Sequence, residues 1–157
     1  MNDTPSPIRV LFVCHGNICR STMAEFVLKD MVAKRGLTDR FHIASAATST
    51  EELGNPVYPG TVQVLQKHDI GGFEEKRARQ LCAADYDRFD LLIGMDSANI
   101  KNMHRMLKGD PQGKIHKMMG FAGSDRDVAD PWYTGDFDTT YEDVRDGCTG
   151  LLGFLGL

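Results

Sequence analysis

The sequence has few cysteines, little excess charge and no long apolar run. Four cysteines in 157 residues give no reason to expect a disulfide-rich secreted domain, so a reduced, cytoplasmic setting is predicted. A formal net charge of −4 argues against broad electrostatic binding to nucleic acid or to an anionic membrane. The apolar segments 8–14 and 151–157 are too short to cross a bilayer, and the first residues lack the pattern of a signal peptide.

The length and composition suit one folded domain. Hydrophobic residues make up 41% of the chain, which is enough for a real core in a domain of this size. Residues 1–7 are predicted to form a disordered N-terminal arm, and residues 8–157 the domain. Nothing in the pattern demands a dimer, so a monomer is expected.

Short apolar runs alternate with amphipathic segments along the chain. Strands are predicted at 8–14, 41–47, 91–95 and 115–119. Helical patterns follow from Ser21 and from Pro59; Ser97 is predicted to cap the next helix, and a capping box of Thr139 and Glu142 the last. This alternation predicts an α/β fold with a small parallel sheet, whose ligands bind beyond the carboxyl ends of the strands.

The segment 14–21, CHGNICRS, joins the first strand to the first helix. We call residues 14–20 the phosphate loop, because successive N–H groups at a helix N-terminus form a nest for phosphate oxygens. Gly16 is expected to allow backbone conformations closed to other residues, and Asn17 tolerates left-handed geometry. The predicted phosphate-binding residues are His15, Gly16, Asn17, Ile18, Cys19 and Arg20.

Three side chains in this segment have the chemistry of a phosphoryl-transfer site. Cys14, at the strand end, faces the positive end of the helix and is expected to be a thiolate nucleophile. Arg20 offers a planar fork for two phosphate oxygens, in the ground state and in the transition state. Ser21 can donate a hydrogen bond to the sulfur and help it to leave in a second step.

Other interpretations of these cysteines carry less weight. A buried core cysteine would not explain the spacing to Arg20 and Ser21. A metal site made of Cys14, His15 and Cys19 lacks a second ligand pair at a typical spacing, and the other histidines form no cluster. A redox pair of Cys14 and Cys19 is credible as protection of a reactive thiol.

Thiolate attack on a phosphate ester also requires a proton donor for the leaving group. Asp125, Asp127 and Asp130 all lie in one polar loop, and position in that loop does not choose among them. The segment 130–133, DPWY, stands out because Pro131 stiffens the backbone and two aromatic residues follow it. Asp130 could equally begin a turn whose aromatic residues pack on the core.

With these motifs, the sequence resembles the low-molecular-weight protein tyrosine phosphatases. The resemblance runs from about Ile8 to the last helix and is most specific in residues 10–25, VLFVCHGNICRSTMAE, and in DPWY. Weaker similarities are Ser45, RARQ at 77–80 and MDSAN at 95–99. The resemblance implies a single-domain, three-layer, flavodoxin-like α/β sandwich with a four-stranded parallel sheet.

The same resemblance implies the activity and the roles of the site residues. It implies hydrolysis of phosphotyrosine in protein substrates through a phosphocysteine on Cys14, with Arg20 binding phosphate and Asp130 as general acid and base. Asn17, Ser21 and Ser45 would support the loop, and Glu51, Trp132 and Tyr133 would wall the pocket. No metal or organic cofactor is expected. Cys19 resembles the family's second loop cysteine, which can form a protective disulfide with the nucleophile.

The sequence departs from the family pattern at four positions. Thr22 stands where proline is usual, and His15 occupies a variable position that lines the pocket. Glu51 falls where an aromatic wall residue is common, so that side of the pocket is expected to be open and acidic. Lys76 replaces a loop-bracing histidine, which puts part of the supporting network in doubt. None of these departures removes a catalytic group.

Three rival functions follow from the same loop. A thioredoxin-coupled arsenate reductase needs two further cysteines close together, whereas Cys82 and Cys148 are far apart in sequence. Protein-arginine phosphatases of the family carry threonine where this chain has Ile18, which favours phosphotyrosine here. A binding module without catalysis would not need Cys14, Arg20 and Asp130 together.

Overall fold

Four parallel strands form one sheet in residues 6–157, the part of the chain that the computed structural model describes. The strands are β1 (Ile8–Cys14), β2 (Phe41–Ala47), β3 (Leu91–Gly94) and β4 (Ile115–Lys117). Their order is β2-β1-β3-β4, with Val13 paired to Ala46 on one side and to Gly94 on the other. Most of the arm predicted for residues 1–7 lies outside the described residues.

Six α-helices accompany the sheet in this described range. They are α1 (Arg20–Lys34), α2 (Pro59–Lys67), α3 (Asp85–Arg88), α4 (Ser97–Met106), α5 (Pro131–Thr134) and α6 (Phe137–Phe154). None of them combines the length and the apolar character that a bilayer-spanning segment requires.

The central strand β1 explains the layering. Val10 and Phe12 point into the larger core, shared with α1, α2 and α6, while Leu11 and Val13 point into a smaller core on the opposite face. All four are fully buried, because side chains alternate between the two faces of a strand and both faces of this one are covered. The three-layer α/β sandwich with a four-stranded parallel sheet is therefore confirmed.

Two predicted helix starts are wrong. Helix α4 is capped by Asp96 instead of Ser97: the Asp96 carboxylate accepts the N–H of Asn99 at 2.7 Å. Helix α6 begins before the predicted capping box, because Asp136 caps it and accepts the N–H of Thr139 at 3.0 Å. In both cases an upstream aspartate supplies a carboxylate oxygen to the free N–H groups of the first turn.

The topology brings three loops to one edge of the sheet. All strands are parallel, so the loops that follow β1, β2 and β3 leave from the same end. The loop after β1 carries the phosphate loop, the loop after β2 carries Glu51, and the turn after β3 carries Asp96. The candidate site is assembled from these segments together with the loop before α5.

Candidate active site

A pocket of about 110 Å³ lies at the carboxyl end of β1. Most of the predicted site residues line it; these are Cys14, His15, Gly16, Ile18, Cys19, Arg20, Glu51, Asp130, Trp132 and Tyr133. The three residues predicted to support the loop, Asn17, Ser21 and Ser45, are buried behind it. Side chains from three separate segments of the chain therefore meet around one cavity.

The phosphate loop presents its backbone N–H groups without protein partners. Within the described chain, none of the N–H groups of residues 15–19 donates to a protein oxygen. Helix α1 begins directly afterwards, at Arg20, with the sulfur of Cys14 on the preceding strand. An anion in the pocket would therefore meet unpaired donors and the positive end of a 15-residue helix.

Cys14 has one close polar neighbour, the Ser21 hydroxyl. Its Sγ lies 3.1 Å from Ser21 Oγ. The amide of Asn17 donates to that same Oγ at 2.8 Å, which leaves the hydroxyl hydrogen of Ser21 free to point at a sulfur anion. This arrangement can stabilise Cys14 as a thiolate and as a leaving group.

The second loop cysteine has a different character. Burial, together with the negative charge of Cys14, raises the pKa of Cys19 to about 12. Because of this raised pKa, Cys19 remains a protonated thiol at neutral pH. A protonated thiol is a poor nucleophile, since only the thiolate reacts readily. Of the two loop cysteines, Cys14 is the one placed to react.

Asn17 ties the phosphate loop to the rest of the fold. It adopts the left-handed conformation, with φ of 59°, and its amide also donates to Ser45 Oγ at 2.9 Å. Its carbonyl oxygen accepts the backbone N–H of Arg79 at 3.2 Å. Gly16 has no positive φ; a Cβ there would instead lie 3.3 Å from the side chain of Glu52. Asn17 provides the special backbone geometry, and Gly16 provides room.

Lys76, the residue that put part of the supporting network in doubt, joins this network. Its Nζ donates to the carbonyl of Ser45 at 2.9 Å and lies 3.4 Å from the buried carboxylate of Glu25. Glu25 in turn accepts the Ser45 hydroxyl at 2.5 Å. Burial lowers the pKa of Lys76, with the charge of Glu25 opposing that effect. A lysine–glutamate pair thus braces the residue that holds Asn17.

Arg20 is buried and held by three oxygens. Its Nη1 donates to Asp96 at 2.7 Å and to the carbonyl of Val128 at 2.9 Å, and its Nη2 lies 3.4 Å from Asp130. Burial would lower the pKa of Arg20, but the negative charges of Cys14 and Asp96 outweigh burial and raise it. The guanidinium is therefore a permanent, oriented cation on the pocket wall.

Among the three aspartates that the sequence left open, only Asp130 lines the pocket. Its carboxylate caps α5 by accepting the N–H of Trp132 at 3.0 Å, and one oxygen approaches Arg20. Asp127 instead pairs with Lys117 at 2.6 Å, and this hydrogen bond lowers the pKa of Asp127. Asp130 can therefore exchange a proton with a group bound above Cys14.

Aromatic and charged side chains surround the mouth of the pocket. Trp132 is half exposed and packs edge-on against Tyr58, with ring centroids 5.2 Å apart, while Tyr133 is 84% exposed. Opposite them, Nε2 of His15 lies 2.9 Å from a carboxylate oxygen of Glu51. One wall is aromatic and uncharged, and the other ends in a histidine–glutamate pair.

Sequence reasoning missed Asp96 as a partner of Arg20 and Glu25 as a partner of Ser45. The segment MDSAN at 95–99 contains Asp96, but the sequence pattern favours Ser97 as the helix cap. The first acid after β3 lies at the sheet edge that binds ligands, and this position was a usable signal. The local i,i+4 pairing of Glu25 with Lys29 gave no sign of its other partners, Ser45 on β2 and Lys76, which are remote in sequence.

Replacing Asp96 with alanine is expected to destabilise the fold by about 2–4 kcal/mol, because it removes a helix cap and a partner of a buried guanidinium. Asp96→Asn keeps the cap and removes only the charge, so it should lose about 1 kcal/mol less. Urea unfolding of the two variants measures the free energy of unfolding that is lost with the cap and with the charge. Equal losses would show that the cap contributes nothing.

Comparisons with known proteins agree with this geometry. A model of the family described as low molecular weight phosphotyrosine protein phosphatase matches residues 9–156. The low molecular weight protein-tyrosine-phosphatase YfkJ of Bacillus subtilis is 40% identical over 150 residues, which cover 94% of this chain and 96% of that protein. The Schizosaccharomyces pombe low molecular weight phosphotyrosine protein phosphatase is 42% identical over 134 residues, 82% and 83% of the two chains.

Solved structures give the same result. The crystal structure of Bacillus subtilis YfkJ matches with a TM-score of 0.91 at 39% identity, over 97% of this chain and 96% of that one. The Drosophila arginine phosphatase DARP matches with a TM-score of 0.87 at 29% identity, over 96% and 99%. The chain therefore belongs to the low molecular weight phosphotyrosine protein phosphatases, a family of cysteine-based phosphoric monoester hydrolases.

Proposed function

We propose that this protein hydrolyses phosphotyrosine in protein substrates through a phosphocysteine on Cys14. The observation that carries the proposal is that Cys14, Arg20 and Asp130 line one pocket. A nucleophile, a fixed cation and a proton donor around one small cavity are the parts that phosphoryl transfer requires.

In the first step, the Cys14 thiolate attacks phosphorus. An S–P bond forms, the bond from phosphorus to the phenolic oxygen breaks, and the carboxyl group of Asp130 gives its proton to that oxygen. Arg20 and the free N–H groups of residues 15–19 bind the three remaining phosphate oxygens. The Asp130–Arg20 contact of 3.4 Å supports this step, because it holds the two side chains next to each other on the pocket wall.

In the second step, a water molecule attacks the phosphocysteine. The Asp130 carboxylate takes a proton from this water, the S–P bond breaks, and inorganic phosphate leaves. The sulfur departs as a thiolate, and the Ser21 hydroxyl, 3.1 Å from Sγ, supports the returning charge. Asp130 is again protonated and ready for the next turnover.

The pocket walls favour an aromatic phosphate ester. Ile18 lines the pocket and packs with Ala78 and Tyr58, which gives an apolar surface on one side. Trp132 and Tyr133 lie on another side, where a phenyl ring can pack against them. Phosphoarginine has a polar guanidino group in place of this ring, and Ile18 offers that group no hydrogen bond.

The other cysteines do not suit the arsenate reductase alternative. Cys82 is exposed, whereas Cys148 is buried in the main core, where burial raises the pKa of its thiol. A disulfide relay requires thiols that can reach one another and form thiolates. Cys148 meets neither requirement in this fold.

Phosphate release from one peptide sequence carrying phosphotyrosine or phosphoarginine tests the substrate class. We expect a higher kcat/KM for phosphotyrosine, and a shift toward phosphoarginine in Ile18→Thr but not in the matched control Ile18→Val. A wild-type preference for phosphoarginine would overturn the argument from Ile18. Release from neither peptide under reducing conditions would overturn the hydrolase assignment for this pocket.

A further inference from the structure

The loop between β2 and α2 places a carboxylate at the mouth of the pocket. Glu51 lies on this loop, and its Oε2 is 2.9 Å from Nε2 of His15, the residue that follows the nucleophile. The side chains of His15 and Glu51 are 51% and 69% exposed. The pair therefore lies in solvent at the entrance, where the residues beside a phosphotyrosine would pass.

Glu51 has binding capacity left over after this contact. Its Oε1 accepts no hydrogen bond from any described residue, and Oε2 meets only His15. The neighbouring Glu52 also lines the pocket, but its Oε2 accepts the side-chain amide of Asn55 at 2.6 Å and the residue is less exposed than Glu51. Of the two glutamates at the entrance, Glu51 therefore has the carboxylate that is more accessible to a ligand.

Apart from His15, no basic side chain that lines the pocket contacts the Glu51 carboxylate. The pocket lining has two basic side chains: Arg20, which is 3% exposed and held by Asp96 and Asp130, and His15. The opposite wall, Trp132 and Tyr133, is uncharged. A peptide bound by its phosphate thus meets positive charge at the bottom of the pocket and negative charge at the rim.

We infer that Glu51 is a specificity-determining residue that favours phosphotyrosine peptides with arginine or lysine beside the phosphotyrosine and disfavours those with acidic neighbours. The inference rests on the proposed phosphotyrosine hydrolysis. A guanidinium or ammonium group at Oε1 forms a charge-assisted hydrogen bond, whereas a carboxylate there is repelled. In the approach to the pocket, this repulsion adds to that between the dianionic phosphate and the rim.

Three phosphotyrosine peptides that differ only in flanking arginine, alanine or glutamate test the inference. We expect kcat/KM to be about ten-fold higher for the arginine peptide than for the glutamate peptide, since exposed charge pairs each change an affinity by about two- to five-fold. Glu51→Gln should lower this ratio about three-fold, and Glu51→Lys about ten-fold. Glu51→Asp, which keeps the charge, should retain most of the preference.

A matched control separates the local charge from the net charge. Asp39→Asn removes one negative charge from an exposed residue at the amino end of β2, opposite the site, and should leave the ratio unchanged. In about 1 M salt, where the Debye length is about 3 Å, the wild-type ratio should fall toward one. A ratio that survives high salt would show selection by shape and would overturn the inference.

The failure of this inference is distinguishable from the failure of the proposed function. If none of the three peptides is hydrolysed, phosphotyrosine hydrolysis itself is wrong. If all three are hydrolysed with equal kcat/KM, or if Glu51→Gln and Glu51→Lys keep the wild-type ratio, the role of Glu51 is wrong and the proposed function stands.

Discussion

Cys14→Ser is expected to lower kcat by about 10⁵-fold or more, as loss of a covalent nucleophile does in other enzymes. A serine hydroxyl at this position stays protonated at neutral pH, and its one close polar neighbour is the Ser21 hydroxyl, which is not a base. The fold should persist, because the substitution is nearly isosteric and the new hydroxyl can bond to Ser21. Steady-state phosphate release and thermal unfolding measure the two effects.

A binding measurement shows whether Cys14→Ser has lost the chemical step or the ability to bind substrate. Cys14→Ser keeps Arg20 and the free loop N–H groups, so it should still bind a phosphotyrosine peptide, which calorimetry can detect. Cys82→Ser, an exposed cysteine outside the pocket, is the matched control and should keep its turnover. Substantial turnover in Cys14→Ser would show that another group attacks phosphorus and would refute the phosphocysteine intermediate.

Asp130→Asn is expected to lower kcat for phosphotyrosine by about 10²–10⁴-fold, the usual contribution of general acid–base catalysis. Asparagine can still accept the N–H of Trp132, so the start of α5 and the position of the loop should be retained. What is lost is the exchangeable proton, which both steps of the proposed mechanism need.

A substrate with a good leaving group separates the two steps. Nitrophenolate leaves without a proton, so Asp130→Asn should release about one equivalent of it in a rapid burst and then turn over slowly as the phosphocysteine accumulates. Asp127→Asn is the control in the same polar loop, since Asp127 pairs with Lys117 and does not line the pocket. Equal losses in the two variants would show that the loop matters only for structure, and would contradict the role of Asp130.

Local sequence patterns were sufficient to predict those structural features that depend on residues close together in the chain. The predicted bounds of β1 and β2 match the observed strands, because each is a short apolar run that the sheet buries. The phosphate loop could likewise be recognised, since seven consecutive residues at the junction of a strand and a helix supply the proposed nucleophile, the N–H groups and the arginine. The cap of α4 was assigned one residue too late, because Asp96 and Ser97 are both good caps and only their positions relative to the first turn distinguish them.

The choice of Asp130 as the proposed general acid illustrates what the residues alone leave open. Asp127 and Asp130 lie three positions apart in the same polar loop, with the same side chain. The structure separates them, because Lys117 at the end of β4 holds Asp127 away from the pocket, while Asp130 lines it. Without the resemblance to a known family, only long-range packing distinguishes the two.

The sequence by itself therefore determined the fold class and predicted the nucleophile Cys14 and the phosphate-binding Arg20, because these depend on short-range periodicity and on one continuous motif. The tertiary structure alone decided the partners of those groups: Asp96 on Arg20, Glu25 and Lys76 behind Ser45, and Glu51 on His15. These partners lie 20 to 76 positions apart in sequence. The physical reason is the strand order β2-β1-β3-β4, which brings the loops that follow separate parallel strands to one edge, so that side chains remote in sequence share one pocket.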